Sequence, residues 1–181
     1  MTINSHGVPA SGGLRVKKLS YCAMLAAIAV VLSAAESAIP VPVPAPGIKL
    51  GLANAVTLFM LLNEGNPAYA AGVTLARCVL SALITANFSA LLFSLSGGLV
   101  SCVLMWMLLQ FNFSLSAYGV SVAGAISHNM AQLATASLIA RDPAIMGYAP
   151  VLLIVGAVAG FAIGYLAIQI DRIINSRIMH K

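Results

Sequence analysis

Apolar runs long enough to cross a bilayer recur along this chain, with only short polar breaks between them. Only 7% of the 181 residues are charged and 61% are hydrophobic. A soluble domain carries about 25% charged residues, so this chain has too little charge to cover a water-facing surface. A secreted disulfide scaffold, a disordered chain and an ordinary cytosolic enzyme are excluded on that ground. What remains is an integral membrane protein, and at roughly 20 apolar residues per span its length holds about five to seven helices.

The runs predict six helices: about Leu19 to Ala38, Leu50 to Asn63, Ala68 to Thr85, Ala90 to Leu109, Ala117 to Ala140 and Tyr148 to Ile170. The first follows a basic stretch, as a signal peptide would. It is longer than a signal core and leads into a proline-rich loop, so a retained helix is expected. In Pro40-Val-Pro-Val-Pro-Ala-Pro46 alternate prolines forbid helix and favour extended geometry. The second run is short for a span and is expected to begin below the membrane surface or to tilt little. No strand-like alternation occurs. The fold class expected is an all-α integral membrane protein, a bundle of six transmembrane helices. One domain, residues 19–170, lies between a polar basic tail (1–18) and a second basic tail (171–181).

Orientation follows from Lys and Arg placement. Arg15, Lys17, Lys18, Arg172, Arg177 and Lys181, six of the nine, lie in the two tails. Both termini are therefore expected in the cytoplasm, which requires an even number of spans. The net charge of +5 is explained by this topology and calls for no nucleic acid. Cys22, Cys78 and Cys102 are odd in number, match no metal spacing and read as small buried hydrophobes.

Charges at membrane depth are costly and usually face a bundle interior. Arg77, in Thr74-Leu-Ala-Arg-Cys78, is the only charge deep inside a run. The fifth run carries a polar stripe: Ser121, Ala125, His128, Gln132 and Thr135 fall within about 80° on a helix wheel, with Asn129 beside them. Interhelical hydrogen bonding is the plain reading, but three amide or imidazole groups within Ser127-His-Asn-Met-Ala-Gln132 exceed what gluing needs, so a pocket is expected. Gly47-Ile-Lys-Leu-Gly-Leu-Ala-Asn54 is a third candidate, with Lys49 and Asn54 on a segment whose glycines allow close approach. Glu36 is a weaker one, placed to pair with Lys49 or Arg77.

The remaining patterns concern packing. Gly156, Gly160 and Gly164 repeat GxxxG in the sixth run, Ala23 and Ala27 form a small-residue pair in the first, and Ser94, Gly98, Ser101 and Met105 share a face of the fourth. Whether these meet this chain or a partner is open at this point. No phosphate loop, HExxH, GxSxG or acidic magnesium motif occurs. With four acidic residues, a two-metal site or a self-contained ATPase is not expected, nor is any catalytic residue, metal or cofactor.

The runs Gly47-Ile-Lys-Leu-Gly-Leu-Ala-Asn54, Leu92-Phe-Ser-Leu-Ser-Gly-Gly98 and Gly119-Val-Ser-Val-Ala-Gly-Ala-Ile-Ser-His-Asn129 resemble the bacterial Gx transporter family, also labelled heptaprenyl diphosphate synthase component I. The likeness covers about residues 19–170. That family looks like the substrate-binding S components of energy-coupling factor transporters. The resemblance implies a six-helix protein of the cytoplasmic membrane that takes a small metabolite from outside. It also implies docking on a transmembrane coupling subunit and two ATPases that supply the energy. By this resemblance Ala23 and Ala27 contact the coupling subunit, and Lys49, Asn54, Arg77, His128, Asn129 and Gln132 fall at the family's recurrent polar positions. Such a set favours an anionic or strongly hydrogen-bonding ligand: a phosphate, a carboxylate or a flavin-like ring. The runner-up is a non-catalytic membrane accessory of polyprenyl diphosphate or quinone metabolism, working beside a separate synthase.

Overall fold

The computed structural model of the chain describes residues 10–37, 49–111 and 115–179, with side chains for 16–37, 49–111, 115–169 and 172. These form six α-helices and one 3-10 helix, with no strand among them: α1 (Ala10–Glu36), α2 (Asn54–Glu64), α3 (Pro67–Thr85), α4 (Phe88–Gln110), α5 (Ala117–Ala140), the 3-10 helix Pro143–Tyr148, and α6 (Ala149–Met179). The proline-rich stretch of residues 40–46 lies outside the described residues.

Local chemistry sets the boundaries. The Asn66 side chain accepts the Ala68 N–H, with Pro67 opening α3; Asn87 caps α4 through Ala90, and Ser116 caps α5 through Gly119. These are residues whose short oxygen-bearing side chains satisfy free helix donors. Gly65 closes α2 in the left-handed region, which only glycine enters without strain. α1 and α6 are longer than the apolar runs predict: α1 begins at Ala10, ahead of Arg15, Lys17 and Lys18, and α6 continues to Met179. Lys, Arg and Leu are good helix formers, so these helices outlast the hydrophobicity.

Contacts between the helices fix their directions. Lys18 of α1 reaches Glu64 at the end of α2 and lies over Tyr69 at the start of α3. Further along, Thr74 and Arg77 meet Gly98, Met105 meets Gly124, and Gly164 meets Tyr118 and Ser121. Each helix thus runs antiparallel to the next, and the basic start of α1 shares one end of the bundle with residue 165 of α6. α2 packs against all five other helices. Residues 56–61 of α2 are buried in an unbroken run, as expected of a helix apolar all round.

Among the described residues, four helical segments are long and apolar enough to cross a membrane: Val16–Glu36, Pro67–Thr85, Phe88–Gln110 and Pro143–Gln169. The chain is a multi-pass membrane protein. α5 has the length but its polar residues lower its hydropathy; α2, with 11 residues, spans only about 16 Å. The GxxxG repeat of α6 packs inside the chain, with Gly160 against Val122 and Ala125 of α5. The α4 face proposed from sequence turns inward: Ser94, Gly98, Ser101 and Met105 are all buried.

Candidate functional site

Between α1 and α2 the chain runs through Lys49, Leu50, Gly51, Leu52 and Ala53 without helix, yet Lys49, Gly51 and Ala53 are buried. Non-helical backbone buried in an apolar bundle persists only where protein or a cavity satisfies it, and here side chains do so. The Lys49 N–H donates to Gln132 Oε1 at 3.0 Å, and the Gly51 N–H donates to the Glu36 carboxylate. Gly51 has φ +89°, and a Cβ there would strike Asn54 and His128. The first α2 donors are met by three-residue turns, Asn54 N–H to Gly51 O at 2.8 Å and Ala55 N–H to Leu52 O at 3.0 Å.

Gln132 orients its neighbour. Its Oε1 accepts from Lys49, so the amide nitrogen faces His128 Nε2 at 3.0 Å and donates to it. His128 Nε2 is then unprotonated, and the neutral imidazole carries its proton on Nδ1. That nitrogen lies against Gly97, where a Cβ would stand 2.8 Å from it, and makes no well-formed hydrogen bond. The neighbouring Gly98 similarly receives Arg77, whose Nη2 would lie 2.9 Å from an added Cβ. Two adjacent glycines of α4 therefore seat a histidine of α5 and an arginine of α3 side by side.

Charge collects at the same place. Arg77, Lys49 and Glu36 are 2%, 8% and 1% exposed. Lys49 Nζ donates to Ser33 Oγ at 3.0 Å and Ser33 O at 3.3 Å. Arg77 and Lys49 both act electrostatically on Glu36. The pairing expected of Glu36 with Lys49 or Arg77 is not made within hydrogen-bond distance: Glu36 holds the Gly51 backbone instead, and the ion pair among the described residues is Lys18–Glu64 at 3.2 Å. Several buried atoms have no partner, among them Arg77 Nε and Nη2, Asn54 Nδ2 and Oδ1, and Ser81 Oγ. Lys49 and Ser81 line a cavity of about 10 Å³, room for about one water.

Of the residues singled out from sequence, Lys49, Asn54, Arg77, His128 and Gln132 therefore converge. Asn129 turns aside: its Nδ2 donates to Leu152 O of α6 at 3.1 Å. Ala23 and Ala27 lie exposed on α1, far along the helix from Glu36. Ala23 lines a groove of about 680 Å³ between α1 and α3, with Cys22, Ala26, Gly72, Val73 and Ala76. The sequence reading missed Ser33 and Ser81. Ser33 lies three residues before Glu36 and Ser81 four after Arg77, so helical spacing held the signal. No group of three or more His, Cys, Asp or Glu suited to a metal occurs among the described residues. All three cysteines are free, with Cys78 and Cys102 buried and Cys22 half-buried.

The sequence model of the family described as heptaprenyl diphosphate synthase component I matches residues 25–170, which include α2 to α5 and every one of the converging residues. The chain belongs to that family. Comparisons with curated proteins and with solved structures returned no match. The description of the family names a component of a synthase; the converging residues of this member bring buried charge and hydrogen-bonding groups together.

Proposed function

We propose that this chain is the substrate-binding S component of an energy-coupling factor-type uptake transporter. It sits in the cytoplasmic membrane as six spans with both termini inside. It captures a small, anionic or vitamin-like metabolite from the outside and does no chemistry on it. The observation that carries this reading is the buried irregular segment Lys49–Ala53, ringed by Glu36, Asn54, Arg77, His128 and Gln132 inside an apolar bundle. Broken backbone beside buried charge at membrane depth is how transporters build binding sites. The site lies at the bundle end opposite the basic helix ends, which is the outer end if positive charge faces the cytoplasm. Ala23, Ala27 and the α1–α3 groove lie toward the other end, where a coupling subunit with its two ATPases would dock.

The test is purification of the full chain from membranes expressing an energy-coupling module, followed by mass spectrometry of retained small molecules and of copurified subunits. Recovery of the coupling subunit with a small metabolite is expected. Recovery of a soluble polyprenyl synthase in its place would overturn the reading in favour of an accessory role. Arg77→Ala and His128→Ala should each weaken the identified metabolite's binding about tenfold to a hundredfold in calorimetry. That is the effect of losing a hydrogen bond to a charged group, about 1.5–3 kcal/mol. Unchanged affinity in both would show that these residues only hold helices together.

A further inference from the structure

The unpartnered atoms of the site are specific enough to describe what they are built to hold. In a guanidinium, Nε and Nη2 are neighbours on one edge and form the side-on fork that fits the two oxygens of a carboxylate. Those are the two Arg77 atoms left buried without partners. Asn54 leaves both its donor, Nδ2, and its acceptor, Oδ1, unpaired, and it is 2% exposed. An amide free at both ends matches another donor–acceptor edge, as when asparagine reads adenine. Arg77 and Asn54 are linked through contacts already described: Arg77 on Gly98, His128 on Gly97, and both His128 and Asn54 on Gly51.

The charge count sets the sign and size of the ligand's charge. With each group in its ordinary ionised form, Arg77 and Lys49 contribute two positive charges and Glu36 one negative, all buried. His128 contributes none, because the amide of Gln132 donates to its Nε2. One positive charge is left over, and uncompensated charge inside a membrane protein is costly. Lys49 is already occupied by Ser33, and one Glu36 oxygen by the Gly51 N–H; the other, Oε2, has no partner but is an acceptor that repels an anion. The free donors that suit an anion are therefore those of Arg77.

We infer that the site takes a small monoanion, with a carboxylate or singly charged phosphate seated on Arg77 and an amide-like donor–acceptor edge of the same molecule seated on Asn54. This rests on the reading of the cluster as a binding site and names the chemical class of its ligand. Cations are rejected by the leftover positive charge, and a neutral amide alone satisfies only half of the four free atoms of Arg77 and Asn54.

Fragments small enough to enter either half test this on the full chain in detergent, read by thermal unfolding through Trp106 fluorescence. The probes are acetate for the anion half, acetamide for the edge, and methylammonium as the cation, at constant ionic strength. Acetate and acetamide should each raise Tm, by about 2–4 °C at about five times their dissociation constants. Together they should raise it further than either alone, and methylammonium should leave it unchanged. Arg77→Gln should abolish the acetate shift and keep the acetamide shift, and Asn54→Leu should do the reverse. The inference is overturned if neither fragment stabilises the wild type, if methylammonium does so as well as acetate, or if both shifts survive both substitutions. The wild-type arms decide the matter even if a variant does not fold. Failure of the transporter reading looks different: the fragments would bind, yet no coupling subunit would be recovered.

Discussion

Gly97 shows how one missing side chain places a buried polar one. A Cβ at this position would stand 2.8 Å from His128 Nδ1 and Cε1 and 2.9 Å from Gln132 Cγ. His128 and Gln132 are fully buried and bonded to each other, so neither swings away freely. Gly97→Ala is therefore expected to displace the imidazole and loosen the Lys49 N–H bond to Gln132, at an overpacking cost of about 1–3 kcal/mol. Thermal unfolding should register the loss and a ligand titration should register weaker binding; a variant equal to wild type in both would mean that the helices part without strain. Much of this site was legible in the chain's polar residues. Arg77, His128 and Gln132 announce themselves because such groups are costly in lipid. Ser33 and Ser81 do not, since a lone serine in an apolar helix reads as ordinary packing. The turn of Asn129 toward α6 was equally hidden: it flanks the stripe, and which neighbour claims a flank depends on where α6 lies.

Helix ends and helix partners were read from sequence with unequal success, for different reasons. Hydropathy reports where lipid stops, whereas helix propensity continues, so α1 and α6 outrun their apolar runs at the basic ends. α2 begins at Asn54, four residues later than hydropathy suggests, because the apolar Leu50 and Leu52 belong to the turn around Gly51. The glycine repeat of α6 predicted a close helix contact without naming the partner, and the structure names α5. A Cβ on Gly160 would lie 2.6 Å from Val122 Cα and 3.0 Å from Ser121 O, both backbone atoms that yield only if the helices separate. Gly160→Ala should thus lower stability by about 1–3 kcal/mol. Gly72 is the control: nothing stands within 4 Å of its added Cβ, so Gly72→Ala should be neutral or stabilise α3 by up to about 1 kcal/mol. Tm values for the two variants check both; equal effects would sink the α5–α6 packing argument.

At the scale of the whole molecule the site and the α1–α3 groove lie at different depths of one bundle, so binding and assembly should be separable. Ala23 lines the groove, and Ala27, one turn along α1 from Ala23, is exposed. Leucine at both positions should abolish recovery of the coupling subunit in a pull-down while leaving ligand affinity unchanged; undiminished recovery would remove α1 from the interface. The placement of the termini follows from the same geometry. Helix directions bring the start of α1 and residue 165 of α6 to one end. α1, with 27 residues, and α6, with 31, measure about 40 and 46 Å at 1.5 Å per residue. Each exceeds the roughly 30 Å hydrocarbon core, and each carries its basic residues on the excess: Arg15, Lys17 and Lys18 on one, Arg172 and Arg177 on the other. Lys18 already anchors there, bonded to Glu64 and resting on Tyr69. Since Lys and Arg near span ends are retained in the cytoplasm, both ends should be inside, with the Arg77 site opening outward. Ser5→Cys and Ser176→Cys test this in intact cells. Neither cysteine should react with an impermeant maleimide until the membrane is permeabilised; labelling of either from outside would refute the inside placement of both ends, and labelling of one alone would refute an even number of spans.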